Sequence, residues 1–81
     1  MKLRYSAHFL RQYAAAPAGV RKSFDKQSRL LLQNIQHPSL RAKKYDEARD
    51  IWHARVNREW RFYFQIEAGE YQLHEIKPHP K

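Results

Sequence analysis

The last third of the sequence, Asp50–His79, contains three runs in which apolar and polar residues alternate. Alternate side chains of a β-strand point to opposite faces of a sheet, so residues of the same parity share a face. The pattern therefore predicts three strands, with breaks near Asn57–Arg58 and Glu67–Gly69. Breaks as short as these connect antiparallel neighbours.

The two faces of this predicted sheet differ in chemistry. One face is apolar and aromatic, and it carries Trp52, Ala54, Val56, Phe62, Phe64 and Ile66. The other face is basic and polar, and it carries His53, Arg55, Arg61, Tyr63 and Gln65. An antiparallel sheet of this kind buries its apolar face and presents the other to solvent or to a partner. The pattern predicts a platform that binds a polyanion, and that could also cut one.

A strand and a helix are predicted at the start of the chain. Lys2–Tyr5 has the alternation of a short strand with Leu3 and Tyr5 facing inward. Ser6 follows, and its hydroxyl can accept a hydrogen bond from a free backbone N–H of a helix that begins after it. The apolar spacing predicts that this helix spans Ala7–Ala15.

A second helix is predicted from Ala18 to Ile35. Pro17 suits its start, where the missing N–H has no intrahelical partner. Apolar residues at helical spacing form one stripe along it, namely Val20, Phe24, Leu31 and Ile35. Pro38 ends the segment, and the charged stretch Arg41–Arg49 carries no pattern that predicts a helix or a strand. The order β, α, α, β, β, β predicts an α+β domain with two helices packed on one sheet face.

Composition narrows the class of protein and its partners. The chain has 81 residues, with 16 Lys and Arg against 8 Asp and Glu, and a net charge of +8. Such a chain forms one domain, and its charge suits nucleic acid, an acidic protein or an anionic membrane surface. The absence of cysteine excludes disulfides, thiolate catalysis and cysteine-ligated metals. No apolar run is long enough for a membrane span and no signal-peptide pattern is present, so we expect a cytoplasmic protein with no membrane partner.

These features, in this order, resemble the RelE/ParE superfamily of bacterial toxins from type II toxin–antitoxin systems. The most specific part is Asp50–Phe64, D-I-W-H-A-R-V-N-R-E-W-R-F-Y-F, which is similar to the family's two antiparallel strands with an arginine after the aromatic residue of the second. The stretch His37–Lys44, H-P-S-L-R-A-K-K, is similar to the family's connection out of the helical hairpin. The resemblance implies one RelE-like toxin domain over residues 1–81, with an N-terminal strand, a two-helix hairpin and a three-stranded antiparallel meander.

The resemblance implies a toxin that a cognate antitoxin protein neutralises, and it leaves the activity open. The RelE and HigB branch consists of metal-independent endoribonucleases that cleave messenger RNA, usually on the ribosome, and so inhibit translation. The ParE branch is similar in fold but inhibits DNA gyrase and has no nuclease site. The basic residues of the open face favour the ribonuclease. A degenerate member that only binds RNA or an antitoxin is the third interpretation.

Four residues are predicted to be catalytic. Arg61 matches the family's arginine on the middle strand, and its planar guanidinium fits phosphate oxygens. His53 and Arg55 fall where RelE-type sequences often carry two basic residues on the preceding strand. Arg55 would bind phosphate, while His53, with an ordinary pKa of about 6.5, could be a base or an acid. His79 lies in the C-terminal segment, where nuclease members carry a His, Arg or Tyr used as an acid or for base stacking.

Four further residues are predicted to bind RNA, namely Lys43, Lys44, Tyr63 and Lys77. Lys43 stands where some relatives carry a carboxylate base, which argues against a glutamate-based mechanism and favours a lysine-rich one. Tyr63 could stack on a base. Each of these also has an ordinary interpretation, as a solvated charge or a packed aromatic ring. The five histidines show no metal-ligand spacing, so we expect neither a metal nor a cofactor.

Overall fold

The computed structural model describes residues 1–79 and contains a five-stranded sheet and two helices. In chain order the elements are β1 (Lys2–Tyr5), α1 (Ala7–Ala15), α2 (Ala18–Gln33), β2 (Lys43–Asp46), β3 (Ile51–Arg55), β4 (Trp60–Glu67) and β5 (Glu70–Pro78). The strands lie in the order β1-β5-β4-β3-β2. Strands β2 to β5 are antiparallel neighbours, and β1 pairs with β5 in parallel. The predicted α+β order is confirmed, and β2 extends the predicted meander from three strands to four. Pro80 and Lys81, the end of the predicted domain, lie outside the described residues.

Ser6 connects β1 to α1 as the sequence predicts. Its Oγ accepts a hydrogen bond from the backbone N–H of Phe9 at 2.9 Å, which caps the helix. The same hydroxyl donates to the carbonyl of His74 at 3.2 Å, and the Ser6 N–H donates to Leu73 O at 3.0 Å. The start of α1 is therefore fixed to β5 as well as to β1.

Helix α2 ends at Gln33, two residues before the predicted end. The Asn34 N–H donates to Leu30 O at 2.8 Å, and the Asn34 side chain then accepts from the Gln36 N–H at 2.9 Å. Asparagine offers the backbone this alternative to a further helical turn. The chain therefore leaves the helix early and turns toward β2.

The core lies between the helices and one face of the sheet. Phe24 of α2 meets Phe62 of β4 edge to face, with ring centroids 5.2 Å apart. The largest side chains that are fully buried are Phe9, Phe24, Phe62, Phe64, Leu31, Leu40, Leu73 and Ile76. The predicted apolar face is confirmed for β3 and the first half of β4, because Ala54, Val56, Phe62 and Phe64 all belong to this core.

Two residues predicted to face inward are exposed instead. Tyr5 is 43% exposed and Ile66 is 37% exposed. Tyr5 lies on the edge strand β1, and its ring centroid is 5.5 Å from that of the core residue Phe9. Ile66 lies next to the tight turn at Ala68 and Gly69, at the end of β4, where solvent reaches the side chain. Strand alternation predicts the face on which a side chain lies, but burial also requires another element to cover that position, and neither residue is fully covered.

Strand β2 is short, charged and at the sheet edge. It has four residues, and its pairing with β3 shifts register between Lys44 and Asp46. Short charged edge strands with bulges are common in natural sheets, because they hinder pairing with other chains. Such a strand lacks the apolar alternation that predicts a strand from sequence. Its importance here is that it brings Lys43 next to His53.

Candidate active site

A basic cleft lies on the face of the sheet that carries His53 and Arg61. It encloses about 170 Å³ and is lined by Arg41, Lys43, His53, Arg55, Arg61 and His79. All six side chains are cationic or imidazole groups, and they come from β2, β3 and β4 and from the segments that precede β2 and follow β5. The four residues predicted to be catalytic are therefore brought together. Their catalytic role remains a prediction.

Strand pairing explains how these residues meet. Arg55 on β3 lies opposite Arg61 on β4, and Arg61 lies opposite Lys77 on β5. One row further along the strands, His53 lies between Lys43 on β2 and Tyr63 on β4. Directly opposed side chains on one sheet face are about 5 Å apart at Cβ. The sheet therefore forms two adjacent rows of basic and aromatic groups.

His53 is the most enclosed of the histidines near the cleft. It is 8% exposed, and its Nδ1 has no hydrogen-bond partner among residues 1–79. Burial lowers the pKa of His53 below its ordinary value, and the nearby charges of Lys43, His79 and Arg61 lower it further. Its imidazole is therefore neutral at neutral pH, the state in which a ring nitrogen can accept a proton.

This shift predicts how stability depends on pH. Because the pKa of His53 is lower in the folded protein, the unfolded chain binds a proton more readily. The contribution of His53 to stability should be fully present above the unfolded-state pKa, about 6.5. It should be lost as the pH falls from there through the folded-state pKa. Urea unfolding of the wild type and of His53→Gln at several pH values measures this difference.

The exposed His8 provides the control for that experiment. His8→Gln on α1 makes the same substitution at an exposed histidine that does not line the cleft, so it reports the effect of the substitution itself. His53→Gln should lose less stability on acidification than the wild type does. Parallel curves for the wild type and His53→Gln would contradict the lowered pKa.

Arg61 supports the β3–β4 turn as well as lining the cleft. Its Nη1 donates to Asn57 O at 2.9 Å and Trp60 O at 3.0 Å, with a longer contact to Arg58 O at 3.4 Å. All three contacts are made by Nη1. The other two nitrogens, Nε and Nη2, have no acceptor in the part of the chain that the structure describes. Burial, and then the Arg55 cation, lower the pKa of Arg61, but a guanidinium remains charged at neutral pH. Arg61 can therefore hold the turn and still bind an anion.

Arg55 also has hydrogen-bonding capacity that the protein does not use. Its Nε is buried and has no partner among the described residues. Its backbone is fixed, because the Arg55 N–H donates to Leu40 O at 2.7 Å. A buried donor without an acceptor is costly, and two opposed arginines repel each other. An anion bound between Arg55 and Arg61 would relieve both penalties.

His79 is held across the cleft from His53. Its backbone N–H donates to Glu59 O at 2.6 Å, which ties the residue that follows β5 to the β3–β4 turn. The ring centroids of His79 and His53 are 6.2 Å apart. The two imidazole rings therefore lie close together in the cleft that the arginines also line.

The two lysines of β2 that are predicted to bind RNA lie on opposite faces of the sheet. Lys43 lines the cleft. Lys44 has the opposite parity, lies opposite Trp52 in the sheet, and forms an ion pair with Asp50. Its Nζ also lies 5.4 Å from the centre of the Trp52 ring. The structure therefore does not place Lys44 in the cleft, because strand alternation directs it to the other face.

Tyr63 and Lys77 pack against each other beside the cleft. The Lys77 Nζ lies 4.9 Å from the centre of the Tyr63 ring and 2.8 Å from the Glu75 carboxylate. Tyr63 is only 5% exposed, so its ring is not free to stack on a base. The prediction that Tyr63 is a stacking platform conflicts with this burial, since the neighbouring strands contribute side chains that cover it. Lys77 is half-exposed and keeps its charge beside the cleft.

Two residues near the cleft were missed by the sequence analysis. Arg41 lines the cleft and lies in the left-handed region, with φ of 47°. Tyr45 is 60% exposed, and its ring lies 5.1 Å from Tyr63 and 5.3 Å from His53. Both share the parity of Lys43. Recognising Lys43–Asp46 as a strand would have placed Lys43 and Tyr45 on the face of His53, whereas Arg41 precedes the strand and strand alternation does not assign it to a face.

Within residues 1–79, no three His, Cys, Asp or Glu side chains lie close enough together to hold a metal ion. No helix in the same range is long and apolar enough to cross a membrane.

Solved structures of several toxins share this architecture. The YoeB/ParE toxin from Agrobacterium tumefaciens superimposes with a TM-score of 0.81 at 14% identity, over 99% of this chain and 100% of that chain. RelE in the archaeal RelE–RelB complex from Pyrococcus horikoshii OT3 gives 0.77 at 12% identity, over 95% and 92%. YafQ from E. coli strain BL21(DE3) gives 0.75 at 13% identity, over 95% and 91%. This chain has the RelE/ParE toxin fold.

The sequence itself is distant from characterised families. No family model matches it, and no curated protein matches it in sequence. The structural matches confirm the RelE-like fold that the sequence resemblance implies.

Proposed function

We propose that this protein is the toxin of a toxin–antitoxin pair and a metal-independent endoribonuclease that cleaves messenger RNA on the ribosome, which inhibits translation. The observation that carries the proposal is the cleft, in which His53, Arg55, Arg61 and His79 surround about 170 Å³. The RelE-like fold supports the toxin role. Messenger RNA and ribosomes would place its action in the cytoplasm.

The cleft contains the groups that RNA cleavage requires. The 2′-hydroxyl attacks the adjacent phosphorus, a new O2′–P bond forms, and the P–O5′ bond breaks. His53 is neutral and can accept the 2′-hydroxyl proton, while His79 across the cleft can protonate the leaving 5′-oxygen. Arg55 and Arg61 would stabilise the charge that develops on the phosphate. The exposed Tyr45 ring is placed to stack on a neighbouring base.

The proposed partner is a cognate antitoxin. Proteins of the same fold were solved as complexes, among them RelE–RelB from Pyrococcus horikoshii OT3, YoeB–YefM from Staphylococcus aureus and DinJ–YafQ from E. coli. For this chain, a net charge of +8 and an unneutralised cleft suit a partner segment with acidic residues that becomes ordered on docking. Binding over the cleft would exclude RNA.

Primer extension on cellular messages tests the proposed activity. Expression of this protein should arrest growth and produce new 5′ ends in phase with codons, which cells carrying the empty vector lack. Co-expression of the protein encoded next to it should prevent both effects. Intact messages together with cleaved DNA or altered supercoiling would contradict the nuclease and point to ParE-like inhibition of gyrase.

A further inference from the structure

A second and larger groove adjoins the cleft. It encloses about 540 Å³ between α2, the turn that follows it, and the β3–β4 turn. Lys26 and Arg58 line this groove, whereas Arg41 and Arg55 line both the groove and the cleft. Since two arginines face both spaces, a ligand bound in the cleft can continue into the groove without leaving the protein surface.

The groove has a positive charge that the protein does not neutralise. Lys26, Arg41, Arg55 and Arg58 line it, and no carboxylate does. Within residues 1–79, the lysines and arginines that form ion pairs are Arg4, Lys44, Arg49 and Lys77. None of these lines the groove. The groove therefore concentrates cations that have no acidic partner in the described part of the chain, and such a surface attracts a polyanion.

A buried hydrogen-bond network holds the groove in shape. Gln27 is 3% exposed, and its Nε2 donates to Ser39 O at 3.1 Å and to Arg55 O at 2.9 Å. The Ser39 hydroxyl donates in turn to the Gln27 Oε1 at 3.2 Å. One glutamine thus joins α2, the turn before β2 and the end of β3. The backbone that carries Arg55 and the turn before β2 is therefore held in place before a ligand binds, which lowers the entropy cost of binding.

We propose that this groove is a second RNA-binding site. It holds backbone phosphates of the same RNA strand, next to the phosphate that is bound in the cleft. This inference rests on the proposed ribonuclease function and adds a binding site outside the reacting groups. Single-stranded nucleic acid is bound by positively charged grooves that follow its backbone. The continuity through Arg41 and Arg55 favours RNA over an acidic peptide, because the same chain would pass from one space to the other.

The test removes two charges that line the groove alone. Lys26→Gln/Arg58→Gln leaves the cleft unchanged, and Lys22→Gln/Arg29→Gln removes two exposed charges of α2 that do not line the groove. Binding is measured against salt with 2′-O-methyl RNA of about 12 nucleotides, a length within usual single-strand site sizes. This RNA cannot be cleaved by 2′-hydroxyl attack. Two lost phosphate contacts should reduce the slope of log K against log salt by about 1.4, at about 0.7 each.

The control double variant should keep the wild-type slope. A second measurement uses ribosomes without message. Weaker binding of the groove variant to the oligonucleotide supports the inference, whereas weaker binding to ribosomes alone overturns it and reassigns the groove to ribosomal RNA. If the wild type binds RNA or ribosomes and the groove variant binds them equally well, the inference is wrong, and the proposed function is unaffected. Retained RNA binding with weaker binding of polyglutamate reassigns the groove to a protein partner. If the wild type binds neither RNA nor ribosomes, both proposals fail.

Discussion

Replacement of Arg61 by alanine should lower the rate of RNA cleavage about a hundredfold or more, the usual effect of losing one electrostatic donor to a transition state. Arg61 lines the cleft opposite Arg55, and its Nε and Nη2 have no acceptor among residues 1–79. Arg61→Lys should recover only part of the rate, because an ammonium cannot make the planar two-point contact. Single-turnover cleavage of a defined message on purified ribosomes measures the effect.

Arg61 also supports the β3–β4 turn, so the rate measurement needs a control for lost stability. Its Nη1 holds the carbonyls of the β3–β4 turn, so Arg61→Ala should also lose stability, by about 1 kcal/mol for lost hydrogen bonds. Rates should therefore be compared at a temperature where denaturant melts show every variant folded. Arg11→Ala, an exposed arginine of α1, is the matched control and should cleave like the wild type. If Arg61→Ala keeps wild-type toxicity and cleavage, the proposed nuclease site is wrong.

Truncation of Phe64 should cost about 3–5 kcal/mol of folding stability, the usual loss for a buried aromatic residue replaced by alanine. Phe64 is fully buried in the middle of the sheet. Its ring centroid lies 5.6 Å from those of Phe62 and Tyr71 and 6.3 Å from that of Trp52. The whole stability of a small domain is about 5–15 kcal/mol, so the change removes a large part of it. Urea unfolding monitored by circular dichroism gives the free energy directly.

Ile66→Ala is the natural comparison for that measurement. Ile66 lies on the same strand with the same parity, yet it is 37% exposed. Its truncation should cost clearly less than that of Phe64, because less apolar surface returns to water. A loss below about 1 kcal/mol for Phe64→Ala would mean that Phe64 does not fill the core.

Sequence patterns were sufficient to predict those elements whose formation depends on neighbouring residues in the chain. Lys2–Tyr5 and Ala7–Ala15 have the bounds that the sequence predicts, and Ser6 caps the helix, because strand parity, helical spacing and capping depend on neighbours in the chain. The same parity placed His53, Arg55 and Arg61 on one face. His79 was included through its resemblance to RelE-type sequences, and the structure positions it by one backbone hydrogen bond to Glu59.

By itself, then, the sequence determined the order of most elements, the apolar face of the sheet and the basic face with its candidate catalytic residues. Tertiary structure decided what depends on distant neighbours. The pairing of β2 with β3 brings Lys43 beside His53 and turns Lys44 away. The packing of Lys77 and Tyr45 covers Tyr63 and leaves Tyr45 as the exposed ring. The physical reason is that alternation fixes only the side of a strand on which a residue lies, while burial and charge pairing depend on which other elements reach that side.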